Sequence, residues 1–229
     1  MMRALFTLTV LVGCLVVMPA QAGDIIDRIV ATVNNHPILQ SDWEEAISYE
    51  SFIEGRPIEK LTAEDRKAAL DRLIDQELLR EQLQAAPVPQ AKPGDVKAKI
   101  EEVRKLYPGA DQEAGWQATL SRYGLKQAEL ENRIANDLQL ARFVDARLRP
   151  GIEIDSHSIE VYYRDTLLPK LRSSGEKQIA LADVSPKIKE VLTQKKLNDL
   201  LAAWLQNLRS ESQIHALTDQ APATGGQAR

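Results

Sequence analysis

A succession of helix-like segments, each bounded by its own start and stop residues, fills the first two-thirds of this chain. The longest carries Leu130, Ile134, Leu138, Ala141, Val144 and Leu148 at spacings of three and four, and Pro150-Gly151 follow it. A helix of this kind must bury its apolar stripe, and short connections force neighbours to run antiparallel, so a helical bundle is the architecture open to it. Only 5% of the residues are aromatic, so the packing must come mainly from aliphatic side chains.

The punctuation is specific. Residues 29–33 are β-branched and apolar, Asn34-Asn35 suit a tight turn with positive φ, and Pro37-Ile38-Leu39 can return as a short strand. Ser41, with Glu44 three residues later, has the form of a capping box and predicts a helix over 42–54 that stops at Gly55 and Pro57. Thr62 and Asp65 repeat the start signal before Leu70, Leu73, Ile74 and Leu78, and this helix should stop within 85–89. Pro93 suits the first position of a third helix, which ends before Tyr107-Pro108-Gly109. The fourth holds Trp116 and Leu120 and ends at Gly124, the residue type that best supports a left-handed cap.

The start of the chain reads as an export signal. Met1, Met2 and Arg3 give a basic start, residues 4–18 are almost wholly apolar, and Ala20-Gln21-Ala22 is a small-x-small cleavage site. An apolar run of about 15 residues is shorter than the roughly 20 of a permanent span. Residues 1–22 are therefore expected to be a signal peptide, leaving a soluble, exported chain. Leu11-Val12-Gly13-Cys14 is similar to a lipobox, but cleavage there would leave Leu15-Val16-Val17-Met18 as an apolar stub. Cleavage after Ala22 removes the one cysteine, and with it disulfides and thiolate chemistry.

Charge and motifs exclude several classes. The net charge is −4 with mixed signs, which offers no basic stripe for nucleic acid. His36, His157 and His215 stand in different segments without a second ligand at metal spacing, and no nucleotide-binding glycine pattern occurs, so neither metal nor other cofactor is expected. Asp155-Ser156-His157-Ser158 reads as a helix start rather than a hydrolytic triad. Glu44-Glu45, Glu101-Glu102 and Glu129 with Glu131 read as ion-paired helix surface. What remains is binding through apolar surface, for which Tyr107, Trp116, Leu120 and Tyr123 are the candidate peptide-binding residues, with ordinary core packing as the other reading of the three aromatic ones. Trp43, Phe52, Phe143, Tyr162 and Trp204 are expected in the core.

Taken together, Val33-Asn34-Asn35, residues 38–42, residues 70–79, and Tyr123-Gly124-Leu125 with Leu130 and Arg133 resemble the N-terminal domain of SurA-type periplasmic chaperones, over residues 24–165. Related helical modules occur in parvulin-type prolyl isomerases and in trigger factor. The resemblance implies a mainly α fold of six to seven helices with a small N-terminal hairpin. It also implies a closing helix and strand over 185–217, the strand at 213–217 pairing with 29–33 so that Ile214 lies near Val30. In that family parvulin domains separate the two parts. Here only 168–184 are available, and Pro169, Ser173-Ser174-Gly175 and Pro186 mark them as linker, so no isomerase residue carries over. One domain over 23–217 with a disordered tail at 218–229 follows.

The expected activity is non-enzymatic, ATP-independent binding of unfolded or extended polypeptides, outer-membrane proteins among them, in the periplasm. A divergent prolyl isomerase and a dedicated assembly factor of an export system are the alternatives.

Overall fold

A computed structural model describes residues 27–86, 88–175 and 177–216. The expected signal peptide, Cys14, Leu217 and the tail at 218–229 lie outside the described residues. Three strands form one antiparallel sheet in the order β2-β1-β3: β1 (Ile29–Val33), β2 (His36–Leu39) and β3 (Ile214–Ala216). The expected pairing of front and back is present, with a shifted register: Ile214 lies opposite Val33 rather than beside Val30. Of the two turn asparagines only Asn34 takes positive φ, at 53°. Its side chain ties three elements together, donating to Glu81 Oε2 at 2.7 Å and accepting the Gln213 N–H at 3.0 Å.

The helices are α1 (Gln40–Ile53), α2 (Ala63–Gln84), α3 (Pro93–Arg104), α4 (Glu113–Arg122), α5 (Gln127–Leu148), α6 (Ser156–Tyr162), α7 (Leu168–Ser174) and α8 (Leu181–Glu211). Local chemistry explains most of their ends. Thr62 and Asp65 form the expected reciprocal box at α2, with bonds of 2.9 and 3.1 Å. Gly124, at φ 66°, closes α4, and the Leu125 N–H reaches back to the Leu120 carbonyl at 3.0 Å. Asp155 caps α6 by accepting the Ser158 N–H at 2.6 Å. The start of α1 differs from expectation. Leu39 is the boundary residue and Asp42 accepts its N–H at 2.9 Å, while the Ser41 hydroxyl turns away to Asp27.

Residues 168–184, expected as linker, are partly helical. A π turn over Tyr163–Leu167 joins α6 to α7, so the two run as one rod and the described residues hold seven rods. Pro169 accounts for the turn: a proline ring inside a helix collides with the carbonyl four residues back, here Asp165, and widening the coil relieves the collision. Gly175, at φ 71°, then ends α7. The closing helix begins at Leu181 instead of 185 and carries Pro186 in its second turn.

Two apolar clusters organise the molecule. One joins the sheet to α1, α2, the second half of α5 and α8, through Val30, Val33, Trp43, Leu78, Phe143 and Leu208. The other joins the end of α1 to α3, α4 and the first half of α5, around Phe52. Trp43, Phe52 and Phe143 are buried as expected, whereas Tyr162 and Trp204 are half-buried. Arg209 fastens α8 to α2, with Nε 2.6 Å from Asp75 and Nη2 donating to the Asp71 carbonyl at 2.8 Å.

Candidate functional site

A groove of about 660 Å³ opens where α2, α5 and α8 converge. Leu79, Val144 and Leu197 form its buried floor, and Leu138, Leu140 and Leu201 are half-exposed on its walls. Gln194, Asn198, Arg142 and Asp145 make a polar rim. The helical period produces this arrangement, because residues 137, 140, 141 and 144 of α5 share one face, with Arg142 and Asp145 at its edges. On the other side of α2 and α5, a hollow of about 480 Å³ runs between β2, α1 and the start of α5 and mixes Ile38, Leu73 and Leu125 with charged side chains. Gln76 and Asp137 belong to the walls of both.

Asp137 is the electrostatic centre of that shared wall. Tyr49 of α1 donates its hydroxyl to Asp137 Oδ2 at 2.6 Å, and the Arg133 guanidinium, one turn earlier on α5, lies 4.8 Å above the Tyr49 ring. Burial holds the Asp137 carboxyl above the usual carboxylate range, against the Tyr49 hydrogen bond and the attraction of Arg133 and Arg80. Burial, then the neighbouring Asp137 charge, pushes the Tyr49 phenol well above its ordinary value.

The sequence-derived binding residues occupy a different place. Trp116 and Leu120 are each 1% exposed, Tyr123 is buried and Tyr107 is half-buried. Phe52 collects the rings: Tyr107 stacks on it at 5.4 Å, Trp116 tilts against it at 5.6 Å and Tyr123 meets it edge-on at 5.5 Å. Their polar atoms are used internally, Tyr107 donating to the Phe52 carbonyl, Tyr123 to the Arg56 carbonyl and Trp116 to Gln127. Instead of an open cradle they form the second core, because Phe52 supplies the apolar partner for all three rings. Trp116 alone also borders a third hollow, of about 580 Å³, between α3, α4 and α5.

Residues 1–144 match the family described as the SurA-like N-terminal domain. The chain belongs to that family. No curated protein matches it. The match ends within α5, so the SurA-like part supplies the α2 wall and most of the α5 wall of the groove, and α8, beyond the match, supplies the third.

Four of the six glutamates expected as ion-paired surface are so: Glu45 meets Arg133, Glu101 meets Arg104, Glu102 meets Lys99 and Glu129 meets Lys126, while Glu44 and Glu131 instead accept glutamine amides. His36 has neighbours that its sequence position does not reveal. Glu77 and Glu81, one turn apart on α2, bring carboxylate oxygens to within 4.8 Å of its ring and of each other. Such a set could ligate a cation. Here Glu77 already pairs with Arg80 through one oxygen and contacts His36 through the other at 3.5 Å, and Glu81 accepts the Asn34 amide. Their observed work is to fasten the hairpin to α2. The i, i+4 glutamate pair is the only sequence signal that could have located it.

No helix among the described residues is long and apolar enough to cross a membrane.

Proposed function

We propose that this chain is a periplasmic, ATP-independent chaperone that captures unfolded or extended polypeptides in the α2/α5/α8 groove, outer-membrane proteins in transit among them. The observation that carries the reading is the groove itself: an aliphatic floor with a polar rim, in a chain of the SurA-like N-terminal domain family. Unfolded segments share apolar surface rather than one sequence, and a shallow aliphatic trough accepts them without demanding a motif. Weak contact with a few leucines gives fast release, which makes nucleotide-driven ejection unnecessary. The match to the SurA-like N-terminal domain, a chaperone module, supports a non-catalytic reading. Export rests on the signal-like residues 1–22, and the protein recovered from the periplasm should begin at Gly23.

The test is aggregation. Protein purified from the periplasm should slow aggregation of a denatured outer-membrane protein on dilution, at near-stoichiometric ratio and without ATP. Leu201→Glu should remove the protection while circular dichroism remains that of wild type. No protection at large excess sinks the reading, and acceleration of proline-peptide isomerisation would favour an enzyme instead.

A further inference from the structure

The carboxylates around the two hollows differ in how they are neutralised. Glu45 faces Arg133 at 3.8 Å, Glu77 pairs with Arg80, Glu129 with Lys126 at 2.7 Å and Asp145 with Arg149 at 2.6 Å. Asp42 is exposed and accepts a helix-start N–H. Asp137 takes its hydrogen bond from a neutral group instead, the Tyr49 hydroxyl, which engages Oδ2 and leaves Oδ1 for another donor, while Arg133 and Arg80 attract the carboxylate at longer range. It is also half-buried and is the one carboxylate that borders both hollows. A partly desolvated carboxylate satisfied by one neutral donor attracts a cation more strongly than an exposed one does, because the surroundings screen less. The apolar floor of Leu79, Val144 and Leu197 lies along the same groove.

We infer that Asp137 is a specificity-determining residue, which selects polypeptide segments carrying lysine or arginine next to aliphatic residues. The ammonium or guanidinium meets Asp137 at the junction of the hollows, while the neighbouring aliphatic side chains enter the α2/α5/α8 groove. Extended chain advances about 3.3 Å per residue, so a basic residue and its flanking leucines span the junction and the floor together. The inference rests on the capture reading above and adds a charge rule to it. It separates this groove from a purely apolar trough, which would rank segments by hydrophobicity alone.

The experiment measures fluorescence anisotropy of two labelled leucine-rich peptides, identical except for a central lysine or glutamine, against the periplasmic protein at low salt. Wild type should bind the lysine peptide about tenfold more tightly, with the difference shrinking as salt rises. Asp137→Asn should weaken the lysine peptide alone and bring the two affinities together. Asp145→Asn, on the same rim but paired with Arg149, should keep the discrimination. Equal binding of the two peptides by wild type, or discrimination that survives Asp137→Asn, overturns the inference and leaves the capture reading standing. Binding of neither peptide overturns both.

Discussion

Replacing Asn34 with alanine tests how the front and back of the chain are locked together. Asn34 sits at φ 53°, donates to Glu81 and accepts the Gln213 N–H, while its own N–H donates to the Gln213 carbonyl at 2.7 Å. Alanine keeps the last bond and loses the two side-chain bonds. Each is worth about 1 kcal/mol net, since the freed groups lie at or near the surface and regain water. Alanine also pays about 1 kcal/mol for the left-handed conformation that asparagine tolerates. The expected loss is therefore about 3 kcal/mol. Glycine at the same position loses the two bonds but adopts this φ freely, for a loss of about 2 kcal/mol. Urea unfolding followed by both tryptophan fluorescence and circular dichroism gives the values, with coincident transitions and an unchanged m-value as the check on two-state behaviour. An alanine variant within 0.5 kcal/mol of wild type, or one more stable than the glycine variant, refutes the reasoning.

Three further outcomes follow from particular residues. A Cβ built on Gly115 would stand 2.0 Å from the Gly109 carbonyl oxygen, so Gly115→Ala should lower stability by about 1–3 kcal/mol despite alanine's helix preference, and a melting temperature at or above wild type contradicts this. The Thr62 backbone and hydroxyl, then Arg56, hold the Asp65 carboxyl down at about 2 against an ordinary 3.8; its stabilisation is present above the ordinary value and is lost as pH falls through the depressed one, so Asp65→Asn should flatten the acid limb of the unfolding curve between those values. For Asp137 the sign reverses: burial raises its carboxyl, the ionised form is disfavoured in the fold, and Asp137→Asn should be more stable than wild type at neutral pH, with the gap closing in acid. An Asp137→Asn gap that widens in acid would show that the carboxylate is favoured, not opposed, by its site.

The parts of this fold that are legible in the sequence are those governed within a few residues. Thr62, Pro93, Gly124 and Asp155 each act on backbone groups within four positions, and each stands at the helix end its chemistry implies. The capping residue of α1 is misplaced because Asp42 competes with Ser41 for the role and Asp27, from before the sheet, claims the Ser41 hydroxyl. Residues 168–174 read as linker because Pro169 and two serines look like breakers, but a π turn absorbs the proline. The burial of Tyr107, Trp116 and Tyr123 is not legible locally, because the ring they share as a partner, Phe52, lies 55 residues before Tyr107. The shared wall of the hollows is least legible of all, since Tyr49 and Asp137 are 88 positions apart.

Photo-crosslinking from the groove tests polypeptide capture most directly. A photoreactive side chain at position 140 or 201 should attach to a denatured outer-membrane polypeptide, and the same group at position 99 or 102, on the outer face of α3, should not. Crosslinks from α3 equal to those from the groove, or none from the groove while aggregation is suppressed, would contradict the account.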